Sequence, residues 1–343
     1  MRAFSKKILD DIKLDFKDVL IKPKSSKILS RQNVNLERSF RFKYYTKELN
    51  CIPIMASNMA TIGTPQMAKT LAENKCLTVL HKFISDNDIS ELDTNYSIIS
   101  TGINKQDIER ATYIIQNSNI DKICIDIANG YLSNMITTIK YFRTMFPDIL
   151  IIAGNIVTPH RSLELIAAGA DIIKVGIGSG ACCLTRLKTG IGYPQLSAVI
   201  ECYEHIHSEH GHIVSDGGIS SAADVCKAFG GGASFVMIGS MFGGHDECGG
   251  EIVEVNGKKK MLIYGMSSDT AQTIHNGGMN KYRTSEGRSF YIDYKGSVQN
   301  TLDDILGGLR SYGTYIGCNN IENFENNTQF IKVNRQLNNP YDN

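Results

Sequence analysis

The sequence predicts a closed α/β barrel of eight parallel strands, a TIM or (β/α)8 barrel, within a single domain. Three observations point there. Short apolar runs of strand length recur eight times between residues 51 and 239, and amphipathic stretches of helical period lie between most of them. Eight alternating units of this kind favour a closed barrel over an open sheet. The alternative, a doubly wound sheet, would favour a GxGxxG turn after an early strand, and none is present.

The elements follow in order. Met1–Asn50 is charged and irregular, which suggests an arm across the barrel base or a subunit contact. The strand runs are Cys51–Ala56, Leu77–His81, Ser97–Thr101, Lys122–Ile127, Leu150–Gly154, Asp171–Ile177, His212–Ser215 and Ala233–Gly239. Helices are expected at Pro65–Asn74, Lys105–Asn117, Tyr131–Phe146, Pro159–Ala168, Pro194–His207 and Ser220–Phe229, with Asp86–Leu92 as a short helix in the least defined link. Pro65, Pro159 and Pro194 stand near helix starts, where a missing N–H removes no helical bond. After the eighth strand, Ile252–Met261 reads as a hairpin turning at Asn256-Gly257. Gly265–Gly296 then reads as a long functional loop, Leu302–Tyr312 as the last helix and Asn319–Asn343 as a polar tail. No insertion is large enough to form a second domain, so the barrel domain is expected to take in all of 1–343.

Composition narrows the function. Hydrophobic residues make up 42% of the 343, ample for a large core, and 36 Lys and Arg balance 35 Asp and Glu to a net charge of +1. Attraction to nucleic acid or to a membrane surface needs a basic field that this chain lacks. The first residues mix Lys6, Lys7, Asp10, Asp11 and Lys13 with no apolar core, unlike a secretory signal. The longest apolar runs, such as Ile149–Gly154, are far too short to span a bilayer. Nine cysteines are scattered without CxxC or His-interleaved spacing, which implies reduced thiols rather than disulfides or zinc. A cytoplasmic enzyme is the expectation.

Barrel sites form at the C-terminal ends of the strands. Those ends carry Ser57-Asn58-Met59, His81-Lys82, Asp126 with Asn129-Gly130, Gly154-Asn155, the loop from Gly176 to Gly192, Asp216-Gly217-Gly218 and Gly239-Ser240. Any one of these could be ordinary turn chemistry; so many together suggest a site. The most informative segment is Gly176-Ile177-Gly178-Ser179-Gly180-Ala181-Cys182-Cys183-Leu184-Thr185-Arg186. Its alternate glycines let the backbone fold tightly and turn polar groups toward a ligand, and a thiol on such a loop can act as a nucleophile. Cys183 is the candidate, with Cys182 as its confounder. Asp216-Gly217-Gly218 and Gly239-Ser240 stand after the seventh and eighth strands, where barrels commonly hold phosphate on backbone N–H groups. A carboxylate repels phosphate, so Asp216 suits a sugar hydroxyl.

These segments carry a resemblance. Lys174–Glu201, Ile213–Gly218, Phe235–Gly250, Tyr264–Ser268, Tyr282–Gly287 and Asp304–Tyr315, together with Phe16–Leu20 and Asp126–Tyr131, are similar to the IMP dehydrogenase/GMP reductase family over nearly the whole chain. The resemblance implies a Cys thiolate that bonds to C2 of a purine nucleotide. Within the family the two activities then diverge: the dehydrogenase passes hydride to NAD and hydrolyses the adduct, whereas the reductase expels ammonia and accepts hydride from NADPH. Two features favour the reductase branch. Met67–Leu77 runs straight into Thr78-Val79-Leu80-His81, with no room for the usual regulatory domain, and Gly265 reaches Glu286 too soon for a long mobile flap.

By that resemblance Cys183 is the nucleophile, Thr185 and Glu286 are the proton-transfer pair, and Lys82 and Asp126 lie beside the cofactor and departing ammonia. The nucleotide would meet Asp216 at the ribose and Gly217, Gly218, Gly239 and Ser240 at the phosphate. Gly265, Met266, Ser267, Arg283, Ser285 and Gly287 would surround the base. The cofactor, NADPH, would lie against Asp126, Ile127, Ala128 and Gly178, with Ser311, Tyr312, Gly313, Thr314 and Tyr315 helping from a neighbouring subunit of a homotetramer. Carbonyls of Gly178, Gly180 and Cys183 would suit K+, a hard monovalent cation. Without the family, Glu286 and Lys82 would read as solvated charges, and Asp126 equally as a site residue or as a cap on the next helix. Some positions depart from the family pattern. Ala181 replaces a phosphate-binding Ser, Cys182 and Leu184 flank the nucleophile unusually, Ala60 replaces an Asp, and Ser240 replaces a Gly. Two other classes stay open: a dehydrogenase without its regulatory domain, and a nucleotide-binding barrel without catalysis.

Overall fold

The computed structural model describes residues 8–209, 211–278 and 284–334. Three short strands come first: β1 (Val19–Ile21), β2 (Arg38–Phe40) and β3 (Leu49–Cys51). The barrel strands follow as β4 (Ile54–Ala56), β5 (Leu77–Val79), β6 (Ser97–Thr101), β7 (Lys122–Asp126), β8 (Leu150–Ile156), β9 (Ile172–Val175), β10 (His212–Asp216) and β11 (Phe235–Ile238). β12 (Ile252–Val255), β13 (Lys258–Tyr264), β14 (Ser289–Asp293) and β15 (Phe330–Lys332) complete the strands. The helices are α1 (Pro65–Glu73), α2 (Asp86–Ser90), α3 (Lys105–Asn117), α4 (Ser133–Met145), α5 (Pro159–Ala168), α6 (Thr185–Thr189), α7 (Gln195–Ile206), α8 (Ala222–Gly230), α9 (Asp269–Asn276), α10 (Val298–Ile316) and α11 (Phe324–Asn327).

β4 to β11 form a closed barrel in sequence order, and every neighbouring pair is parallel. Each of the eight runs expected as strands supplies one of them. The runs are mostly apolar, rather than strictly alternating, because both faces are buried. Leu150 and Ile152 of β8 point into the barrel, while Ile151 and Ala153 pack outward against the helices. Helix starts follow local chemistry: Thr64 caps α1 by accepting the Met67 N–H at 3.1 Å, with Pro65 as the first helical residue.

Four expectations need correction. Cys51 does not open the first barrel strand; it pairs with Arg38 in the β2–β3 ribbon, and the barrel begins at Ile54. Pro53 separates the two, since proline offers no N–H to a ladder. Gly265–Gly296 is not all loop, because it contains α9 and also β14, which joins β12 and β13 in an antiparallel sheet. The expected tail beyond Asn319 includes β15, which pairs with β1. Finally, α10 outruns Leu302–Tyr312 at both ends, capped by Ser297 and ending at left-handed Gly317. The hairpin turns at Asn256-Gly257 as expected, both residues having positive φ.

Only the later part of the arm, from β2 onward, lies across the barrel base; its earlier part packs on α7, where Asp15 accepts the Gln195 N–H at 2.7 Å. Phe40, Tyr45, Leu49 and Cys51 join the interior cluster, and the Phe40 ring stacks on Phe235 at 4.3 Å between centroids. The opposite end, where the strands finish, is left for polar residues. Phe40→Ala should therefore cost about 3–5 kcal/mol, seen as a lower urea midpoint with activity per folded molecule retained. A loss below about 1 kcal/mol would mean the base collapses without that plug. Among the described residues no helix is long and apolar enough to cross a membrane.

Candidate active site

The loop after β9 brings Cys183 to the open end of the barrel. An isolated antiparallel bridge ties Cys183 to Gly287, the Leu184 N–H donates to the Glu286 carbonyl at 2.7 Å, and the Arg288 N–H donates to the Cys182 carbonyl at 2.9 Å. This short ladder holds Glu286 beside Thr185 although the two are distant in sequence. A Cβ on Gly287 would lie 2.8 Å from the Ser268 nitrogen, so only glycine permits the approach. The result is a continuous chain. The Cys183 Sγ–H donates to Thr185 Oγ1 at 3.3 Å, and the Thr185 hydroxyl donates to Glu286 Oε2 at 2.7 Å.

Which cysteine reacts follows from the surroundings. Burial pushes the Cys182 thiol up to about 11, and its neighbour Cys183 is partly exposed. Burial likewise raises the thiols of Cys51, Cys76, Cys124, Cys202, Cys226 and Cys248. All nine cysteines are unpaired. Iodoacetamide near pH 8 is therefore expected to modify Cys183 ahead of Cys182, since a buried thiol held protonated reacts slowly. Peptide mapping that finds Cys182 carboxamidomethylated ahead of Cys183 would contradict this.

Two cavities meet at the thiol. One, of 220 Å³, is lined by Ala181, Cys183, Thr185, Asp216, Gly217, Gly218, Gly239, Ser240, Gly265, Met266, Ser267, Glu286 and Gly287 among others, and shares Asp126, Lys174 and Asp216 with its neighbour. The other, of 360 Å³, is lined by Lys82, Asp126, Ile127, Ala128, Gly178, Gly180, Cys183 and Thr185 among others. Gly217 has φ +94°, and a Cβ there would fall 2.5 Å from Ser179 Oγ, so the loops after β9 and β10 close on each other through glycine. Ser285 lies beside this site, its hydroxyl donating to the Gly287 carbonyl at 2.7 Å. Arg283 lies outside the described residues. Ser311 to Tyr315 sit on α10, away from both cavities; Tyr312 is buried with its hydroxyl against Thr328, and a Cβ on Gly313 would press on the Cys318 carbonyl at 2.7 Å.

Asp126 does not cap α4, whose N-cap is Leu132. Its carboxylate accepts from Asn58 Nδ2 at 2.6 Å and from Lys174 Nζ at 3.2 Å. Lys82 donates to both oxygens of Asp107, at 2.9 and 3.1 Å, from the cavity rim. Sequence reasoning left several residues without a role. Lys174 is buried at the junction of the cavities, Asn155 bonds Asp216 at 2.8 Å, and the buried Ser57 hydroxyl has no protein partner where it lines the smaller cavity. Burial draws the Lys174 ammonium's pKa down, but attraction to Asp126 and then Asp216 outweighs it and leaves the group above the usual lysine range. The inward phase of β9 was the available signal, because Ile172 points inside and Lys174 shares its face. Phe83 and His275 stack at 3.9 Å over the larger cavity; nothing in the sequence joined them. Of the unusual neighbours, Leu184 serves the ladder through its backbone alone, and the Ala181 carbonyl accepts Arg288 Nε at 2.8 Å.

Residues 13–337 match the model of the IMP dehydrogenase / GMP reductase domain. The chain is 48% identical over 335 residues to GMP reductase 1 of Homo sapiens, covering 96% of this chain and 97% of that one. It is 47% identical over 345 residues to GMP reductase of Aliivibrio salmonicida (strain LFI1238), covering 98% and 99% respectively. With the match spanning almost its full length, the chain belongs to the IMP dehydrogenase/GMP reductase family.

Proposed function

We propose that this chain is a GMP reductase, converting GMP and NADPH to IMP, ammonia and NADP+ through a covalent bond between Cys183 Sγ and purine C2. The observation that carries this is the unbroken Cys183–Thr185–Glu286 chain at the mouth of both cavities. The thiol proton can pass through the Thr185 hydroxyl to the Glu286 carboxylate as Sγ attacks C2. Returned along the same path to the exocyclic amine, it lets the C2–N bond break and ammonia leave. General acid–base help of this kind contributes typically about 10²–10⁴-fold. Hydride addition at C2 then expels the sulfur and gives IMP, with a second proton taken from solvent in the overall balance.

The smaller cavity suits the nucleotide. Asp216 faces the ribose, the N–H groups at Gly217, Gly218 and Gly239 suit a phosphate, and Ser240 and Ser57 add hydroxyls where Ala181 offers none. The larger cavity suits a nicotinamide, with Ile127 and Ala128 as its apolar wall and Asp126 and Lys82 as its polar edge. A bound NADPH would supply the hydride. Ser311, Thr314 and Tyr315, the more exposed of the α10 candidates, would reach a cofactor only on another copy, in keeping with a homotetramer; a mass measurement showing monomer alone at working concentration would rule that out. Among the described residues no cluster of three His, Cys, Asp or Glu side chains could hold a metal. K+ on the carbonyls of Gly178, Gly180 and Cys183 needs no such cluster. The Gly180 carbonyl accepts the Cys183 N–H at 2.9 Å, which orders the loop.

The deciding experiment is a paired absorbance assay in potassium buffer, GMP with NADPH and, separately, IMP with NAD. NADPH loss with GMP, accompanied by IMP and ammonia, is the expected result. NADH formation from IMP would make this a dehydrogenase without a regulatory domain. No turnover in either would favour a barrel that only binds nucleotides.

A further inference from the structure

We propose that Lys174 is a positioning residue that couples the two halves of the site, holding Asp216 ready for the nucleotide by balancing the charge of Asp126 on the cofactor side. The inference rests on the nucleotide site proposed above and adds to it the way that site is assembled. Lys174 is only 3% exposed and points inward from β9, beneath both cavities. Its three ammonium protons are matched by three acceptors: Asp216 Oδ2 at 2.6 Å, Asn155 Oδ1 at 2.8 Å and Asp126 Oδ1 at 3.2 Å. The remaining partners lock the carboxylates in turn. Asn58 holds Asp126 Oδ2 at 2.6 Å, and Asn155 Nδ2 adds a second bond to Asp216 Oδ2 at 2.8 Å. Both polar contacts to Asp216 thus fall on one oxygen, leaving Oδ1 for a ligand.

The charges make the coupling obligatory. Two carboxylates touch one buried ammonium, for a net charge of −1 in a site walled by the barrel. Without the ammonium, the two carboxylates it had bridged face each other across the junction and repel. The Asp216 carboxylate would then be pushed out of place, although Asp216 itself had not been altered. A purely structural lysine predicts something different: its loss would loosen the barrel, and removing a distant carboxylate would do nothing to help.

GMP binding, measured by calorimetry without cofactor, separates these cases. Lys174→Met is expected to weaken GMP binding at least about tenfold, equivalent to ~1.4 kcal/mol. Adding Asp126→Asn removes the competing charge, and the double variant should recover most of that affinity. If Lys174→Met does not fold, Lys174→Gln keeps two N–H donors without the charge, and the same recovery is expected from Asp126→Asn. Unchanged GMP affinity in the single variant, or no recovery in a folded double variant, would overturn the coupling role. Failure of the parent protein to bind GMP would instead remove the nucleotide site itself, a distinct outcome visible before any variant is made.

Discussion

Cys183→Ala is expected to lose turnover by at least about 10⁴-fold, the scale seen when a catalytic nucleophile is removed, while GMP still titrates the protein. The retained binding follows from the layout of the smaller cavity. Asp216 and the glycines after β10 and β11 line that cavity without any bond to the sulfur, so the proposed nucleotide contacts there do not depend on it. Cys182 cannot step in easily. Its thiol is buried, its pKa is pushed up to about 11, and its backbone is tied to Arg288. A thiol that stays protonated is a poor nucleophile. Undiminished activity in Cys183→Ala would nonetheless transfer the role, and Cys182 would be first in line.

Glu286→Gln should lower kcat by about 10²–10⁴-fold, or ~2.7–5.5 kcal/mol of barrier. Glutamine keeps the size of the side chain and can still accept the Thr185 hydroxyl, so the ladder through Leu184 and Arg288 should survive. What it cannot do is carry a proton between sulfur and amine. Thr185→Val interrupts the same path one atom earlier and should cost a similar amount. Because both act in one relay, the double variant should lose far less than the product of the two. A kcat within threefold of the parent protein in Glu286→Gln would show that the leaving amine gets its proton elsewhere, and Lys82 on the cavity rim would then become the group to change.

The barrel was legible because its information is local. Each of the eight runs is rich in apolar residues on both faces, and each lies between turn or cap residues that act within a few positions, as Thr64 and Pro65 do before α1. The elements that escaped depend on distant partners. β1 and β15 are three residues each and become strands only by pairing across nearly the whole chain. α9 buries little apolar surface, Ala271 among it, so its helical period is faint. β14 carries a short alternation, Ser289 to Asp293, that β13 completes.

The site divides the same way. Cys183 on its glycine loop, the Asp216-Gly217-Gly218 turn and the Gly239-Ser240 turn were visible as residue types at strand ends, where barrel geometry collects function. The sequence by itself thus determined the architecture, the end of the barrel that works and the residues that could react. Only the tertiary structure decided their pairing. It set Glu286 against Thr185 through a two-strand ladder, placed Lys174 between Asp126 and Asp216, and made Cys182 the buried member of the cysteine pair. Hydrogen bonds and Coulomb forces act over a few ångströms of space, and closing the barrel brings within that range side chains that the sequence holds far apart.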